Sequence, residues 1–189
     1  MPIWFDTTKN KNYHLLEQLR DTVIDEYHNT WKHKYTPEKD GIKFSDRYGD
    51  GHDLGWWGCP LVDATKPTQY SEKWPRTLEA IKKIPGVLNV CVNFIQPGHI
   101  IPEHTDDYYD MNENVVGKVR GYGTMIGINM PSNDPEVVGF QVAGVKKGWS
   151  KGEMVSFDGY QKHGGWNYSD DWRVTMIIDI KDEYWDNVE

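Results

Sequence analysis

The feature that most restricts the fold is a succession of short apolar runs, each closed by a turn, that begins after Gly86. Residues 87–95 (Val-Leu-Asn-Val-Cys-Val-Asn-Phe-Ile) are nearly continuous and apolar. Shorter runs follow at 100–104, 122–130, 139–142, 153–157, 162–167 and 173–180. Pro97-Gly98, Asp134-Pro135, Lys147-Gly148 and Asp158-Gly159 punctuate them, as turn-forming pairs do between strands. About seven such strands, preceded by helices, bury their apolar faces as a small double-sheet barrel with the helices on one face. The expected class is therefore mainly β: a double-stranded β-helix (a cupin-like jelly roll) with flanking N-terminal helices.

Two helices are predicted ahead of the strands. Across residues 10–31, Leu16, Leu19, Val23, Ile24, Tyr27 and Trp31 recur at three- and four-residue steps and make one apolar face. Across 74–84, Pro75 suits a first turn, Leu78, Ile81 and Ile84 share a face, and Pro85-Gly86 ends the helix. The stretch between them, 32–73, is rich in Gly, Pro, Asp and Lys and reads as loops, which at that length are usually functional or a wrapped arm. With no repeat, low-complexity tract or linker, residues 1–189 read as a single domain. Its first part, 1–73, is helix and loop, and 74–180 is a jelly-roll catalytic core.

Charge and composition narrow the function. The net charge of −8, with lysines and arginines scattered, argues against a nucleic-acid surface, which needs a basic patch. The absence of an 18-residue apolar run argues against a membrane span. The first residues lack the basic region and apolar stretch of a signal peptide, and Cys59 and Cys91 lie far apart. A cytoplasmic protein is expected. Aromatic content reaches 13%, with nine Trp and eleven Tyr, which fits either many buried rings or an aromatic-lined pocket.

The most informative segment is Gln96-Pro97-Gly98-His99-Ile100-Ile101-Pro102-Glu103-His104-Thr105-Asp106. On an extended strand His104 and Asp106 point to the same side, because side chains alternate with period two. His163, just past the turn that follows 153–157, is the natural third ligand. Two imidazoles and one carboxylate on one face of a metal, with the opposite positions open, suit a non-haem Fe(II) oxygenase. Arg173 opens an apolar run ten residues after His163, and a guanidinium there is costly without an anionic partner such as a bound dicarboxylate. A lone His-x-Asp is usually structural, and an Arg heading a strand is usually at the surface. The conjunction changes those odds.

Taken together, the Trp74–Gly86 segment, Pro97-Gly98 six residues before His104, Gly152–Asp158, His163 and Arg173–Asp179 resemble the aspartyl/asparaginyl β-hydroxylase family of 2-oxoglutarate oxygenases. The resemblance covers about residues 74–180. It implies Fe(II) held by His104 and His163, 2-oxoglutarate with its far carboxylate on Arg173, and O₂ at the remaining position. It further implies cosubstrate-binding roles for Asn93 and for Arg120. The human-type members have Gly two residues after the first histidine and use two histidines only. Asp106 instead resembles the members that hydroxylate free amino acids with a full triad. An Asp there also argues against halogenation, which needs that position vacated for chloride. The implied substrate is a small molecule, first an amino acid or derivative, with a peptide second and a natural-product intermediate third. Rival readings are a desaturase or cyclase using the same cofactors, a cupin without 2-oxoglutarate, and a non-catalytic ligand-binding jelly roll. The insertion at 107–118, straight after the metal motif, fits either a lid, whose Tyr108, Tyr109 and acidic neighbours would hold a cationic amine, or a solvated loop.

Overall fold

The computed structural model describes residues 3–44, 53–106 and 120–186. The strands among them are β1 (Trp4–Phe5), β2 (Ile42–Lys43), β3 (Trp56–Asp63), β4 (Lys66–Pro67), β5 (Val87–Ile95), β6 (His99–His104), β7 (Gly121–Asn129), β8 (Val138–Val142), β9 (Val145–Lys147), β10 (Met154–Phe157), β11 (His163–Asn167) and β12 (Arg173–Lys181). They form two antiparallel sheets. The larger runs β1-β10-β7-β12-β5-β3-β2, with β4 paired to β3, and the smaller runs β6-β11-β8-β9. The architecture is a double-stranded β-helix with helices before the sheets. No helix among the described residues is long and apolar enough to cross a membrane.

The large sheet is covered on both faces, which explains why β5 and β12 look almost continuously apolar. Along β12, Val174, Met176, Ile178 and Ile180 join Val90, Val92 and Phe94 of β5 and Ile126 and Ile128 of β7 in one core. Leu16, Leu19 and Val23 of the Tyr13–Glu26 helix pack onto this face. Each such side chain contributes roughly 1.5–3 kcal/mol by leaving water. The alternate residues (Asn89, Cys91 and Asn93 of β5, Thr175, Ile177 and Asp179 of β12) face the other way, into a cavity between the sheets.

The first predicted helix is present, but its last part is wider. After Glu26 the backbone changes to a π-helical turn, Tyr27–Trp31, and ends with one further turn at Lys32–Lys34. Tyr27 and Trp31 stack on Trp74, with ring centroids 6.5 and 5.4 Å apart, and Trp31 lies 4.8 Å from Phe94. Glu26, only 1% exposed, accepts from the backbone N–H groups of Arg76 and Thr77 at 2.9 and 2.7 Å. It thereby supplies the cap that the start of the Pro75–Ile81 helix lacks in its own residues.

The loop reading of 32–73 needs correction. That stretch holds β3, an eight-residue strand of the large sheet hydrogen-bonded along β5. Gly58 and Pro60 disguise it in the sequence. The register shifts between Pro60 and Val62, so the proline sits at a bulge, where a missing N–H is tolerated.

Candidate metal centre

β6 and β11 are neighbours in the small sheet, and His163 pairs directly with His104. The register then shifts, Gly165 pairing with Ile101, so the ladder carries a bulge beside the histidines. Such bulges re-aim side chains near active sites. The two imidazoles lie 4.4 Å apart between centroids, in a tilted edge arrangement. Asp106, two residues beyond β6, brings Oδ1 to 3.7 Å from Nε2 of His104 and Oδ2 to 3.3 Å from Nε2 of His163. One ligand atom from each of the three residues lies within 4.8 Å of the others. Donors about 2.1 Å from one ion and cis to each other sit roughly 3 Å apart, so the set is close to closed around a cation.

The backbone fixes which nitrogen is available. Nδ1 of His104 lies 2.8 Å from the Pro102 carbonyl, and Nδ1 of His163 lies 2.8 Å from the Gln161 carbonyl. A carbonyl only accepts, so each Nδ1 carries the proton and each Nε2 presents a lone pair to the shared point. The turn after β10 also holds Asp106, whose N–H donates to the Gly159 carbonyl at 2.9 Å. One short segment, 158–161, thus orients two of the three ligands. Burial, then the neighbouring His163, keeps the His104 pKa below its usual value and favours the neutral, metal-binding ring. Trp56 lies against His104 at 5.7 Å, while Phe140 and Phe157 flank His163 at 5.6 and 5.2 Å.

Arg173 opens β12 on the inward side and is 1% exposed. Its Nη1 donates to the Gly139 carbonyl at 3.0 Å, and its guanidinium lies over Trp149 and Phe140, 5.2 and 5.9 Å from the ring centroids. Nε and Nη2 are buried without a hydrogen-bond partner among the described residues. Burial pushes the guanidinium down to about 9. Gly165 makes room for it, since a Cβ there would lie 2.5 Å from Nη1. Phe140, shared by Arg173 and His163, places the guanidinium one ring away from the histidine pair.

The cavity has a volume of about 420 Å³, and His104, Asp106, His163 and Asn93 all line it. Asn93 accepts from Trp56 Nε1 at 3.0 Å, which commits its Oδ1 and leaves Nδ2 as the donor end. Arg120 is placed differently. It precedes β7 at the end paired with Lys181, is exposed, and lies 5.4 Å over the Tyr122 ring, outside the cavity lining. Trp56, Asn89, Thr175 and Asp179 also line the cavity, although none of them is conspicuous in the sequence. The alternation of polar and apolar residues in β5 and β12 was the available signal. The 107–118 insertion lies outside the described residues apart from its flanks.

A family model described as aspartyl/asparaginyl β-hydroxylase matches residues 17–183. The chain belongs to the aspartyl/asparaginyl β-hydroxylase family. The match starts well before residue 74, so the first helix and β3 are part of the unit this family shares. An ornithine lipid ester-linked acyl 2-hydroxylase of Rhizobium tropici is 26% identical over 115 residues, which is 61% of this chain. The aligned region spans 37% of that relative's length. Among solved structures, a double-stranded β-helix protein from Klebsiella pneumoniae is similar at a TM-score of 0.37 and 15% identity, over 51% of this chain and 69% of its own. A DMSP lyase from Ruegeria pomeroyi is similar at 0.43 and 12%, over 71% and 50%.

Proposed function

We propose that this family member is an Fe(II)- and 2-oxoglutarate-dependent dioxygenase that hydroxylates a C–H bond of an amino acid or derivative, with release of succinate and CO₂. The observation that carries the reading is Arg173, a buried guanidinium with two nitrogens that have no partner among the described residues, one aromatic ring from a His–Asp–His set. A buried cation is stable only with an anionic or strongly hydrogen-bonding partner, and a planar carboxylate matches its fork. The donor set fits iron, with two neutral imidazoles and one carboxylate on one side and open positions on the other. Iron, when bound with the cosubstrate and O₂, supplies oxidation coupled to decarboxylation.

The chain's own residues do the positioning. His104 and His163 present Nε2, and Asp106 contributes the negative oxygen between them. Arg173 takes the far carboxylate of 2-oxoglutarate through Nε and Nη2, while Nη1 stays on Gly139. Asn93, its Oδ1 held by Trp56, offers an N–H to a second cosubstrate oxygen. Ile101, Met125, Phe140 and Ile177 keep the space beside the ligands apolar and poor in water. Asp106 occupies the position that a halide would need, which favours hydroxylation, and the Rhizobium relative is likewise named a hydroxylase. Arg120 has no part in this reading. Two free thiols, Cys59 and Cys91, suit the cytoplasmic setting that belongs to the same proposal. The test is succinate release from 2-oxoglutarate over a panel of amino acids, with and without Fe(II). Release that is indifferent to iron and to every amine offered would refute the proposal.

A further inference from the structure

Two of the three candidate ligands hang on backbone carbonyls of one turn, so whatever holds that turn decides how well the set is formed. The Gly159 carbonyl accepts from the Asp106 N–H at 2.9 Å, and the Gln161 carbonyl lies 2.8 Å from Nδ1 of His163. The Lys162 carbonyl is tied as well, accepting from the Ala143 N–H at 2.7 Å in the hairpin between β8 and β9. Asp106 lies beyond the last paired residue of β6, so its bond to Gly159 ties its backbone to the turn. A peptide plane that rotates takes its carbonyl, and the ligand on it, out of line.

The bonds that close the turn from within come from Asp158. Its Oδ1 accepts from the Tyr160 N–H at 3.0 Å, and its main-chain carbonyl accepts from the Gln161 N–H at 3.1 Å. A side-chain turn of the kind aspartate favours is thus laid over a main-chain turn of residues 158–161. The Tyr160 N–H and the Gly159 carbonyl belong to the same rigid peptide unit. One end of that unit is held by the Asp158 carboxylate and the other holds Asp106. The main-chain bond to Gln161 fixes the next unit, immediately before the carbonyl that orients His163. Asp158 is 5% exposed, so water competes little for its oxygen. Phe157, just before it, packs 5.2 Å from the His163 ring and anchors the turn to β10.

We propose that Asp158 is a positioning residue for the metal set. Its Oδ1 acts across the Gly159–Tyr160 peptide to aim the carbonyl that holds Asp106, and it keeps closed the turn whose Gln161 carbonyl fixes the His163 ring. What this role requires is an acceptor at Oδ1, not a charge, so asparagine can fill it and alanine cannot. The inference rests on the metal reading for its purpose, but not for the geometry it describes.

The experiment compares the full unaltered chain with Asp158→Asn and Asp158→Ala. Amide hydrogen exchange at Asp106 and Tyr160 is read by NMR without metal, and Co(II) affinity by visible absorbance. Asp158→Ala is expected to bind Co(II) roughly 10–100-fold more weakly, as loss of an outer partner does, and asparagine to restore affinity to within about threefold. The Asp106 amide should exchange at least tenfold faster in the alanine variant than in the asparagine one. A folded alanine variant with Asp106 protected as in the unaltered chain would overturn the proposal. So would an asparagine variant as defective as the alanine one, because charge would then be the property that matters. If Asp158→Ala does not fold, the other two chains decide: protection of both amides in each supports the role, and an unprotected Tyr160 amide in the unaltered chain overturns it. A chain with these protections that binds no Co(II) contradicts the metal reading alone, since exchange is measured without the ion.

Discussion

Replacing Arg173 by Met separates a ligand-binding role from a structural one, because the two predict opposite changes in stability. A guanidinium lowered by burial to about 9 carries roughly 5 kcal/mol of desolvation, at 1.36 kcal/mol per tenfold change in proton affinity. Against this stand the charged hydrogen bond to Gly139, about 1.5–3 kcal/mol, and two cation–π contacts at roughly 0.5–1 kcal/mol each. Methionine keeps most of the apolar stem between Phe140 and Trp149. The ligand-free variant should therefore be as stable as the parent, or more stable by up to about 2 kcal/mol. Its affinity for 2-oxoglutarate should fall by about 2–5 kcal/mol, on the order of 30-fold to 5,000-fold. Urea unfolding with and without 2-oxoglutarate reads both effects: the added ligand stabilises the parent and does nothing for the variant. A variant destabilised by more than 2 kcal/mol that still gains stability from 2-oxoglutarate would refute the reasoning, since Arg173 would then be a packing residue.

Asp106→Gly should cut metal affinity at least tenfold and abolish most hydroxylation while leaving the fold intact, as metal content and circular dichroism would check; full iron occupancy would remove Asp106 from the ligand set. Gly165→Ala should raise the KM for 2-oxoglutarate about tenfold or more with metal content unchanged, because its Cβ would displace the guanidinium 2.5 Å away; an unaltered KM would mean the cosubstrate does not use Arg173. The depressed His104 pKa sets the pH response. The neutral ring is favoured in the folded chain, so its contribution to stability is present above the ordinary histidine value and is lost as pH falls through the folded one. Metal affinity should accordingly hold from pH 7.5 to about 6.5 and decline only below that. A metal titration that already falls tenfold per pH unit above 7 would contradict it.

Much of the fold was legible because strong periodicity survives tertiary context. The limits of β5 match the apolar run 87–95, and the other main strands deviate by a residue or two at their ends. β3 was not legible. Trp56-Trp-Gly-Cys-Pro-Leu-Val-Asp contains two breakers, and its identity as a strand depends on pairing with β5 and on a bulge that absorbs Pro60. Single-sequence periodicity sees neither. His104, Asp106, His163 and Arg173 stood out because each residue type is chemically conspicuous where it lies. Trp56 and Asp179 did not, since one sat in apparent loop and the other inside what read as continuous core. Arg120 shows the converse limit. A position carried over by analogy across an insertion of uncertain register lies just before β7, outside the described cavity lining.

The two-faced large sheet has a consequence for how this protein can change over evolutionary time. Substitutions at 89, 91, 93, 175 and 177 alter what the interior accepts without touching the helix-packed face, so new specificities can be sampled at little cost to folding. Deleting one residue within β12 does the reverse. Everything beyond the deletion changes sides, sending Asp179 toward Leu16 and Val23 and isoleucines toward the metal ligands. Length is therefore under far stricter constraint in this strand than side-chain identity is on its inner face, and innovation in such a lineage is channelled into point changes on alternate residues.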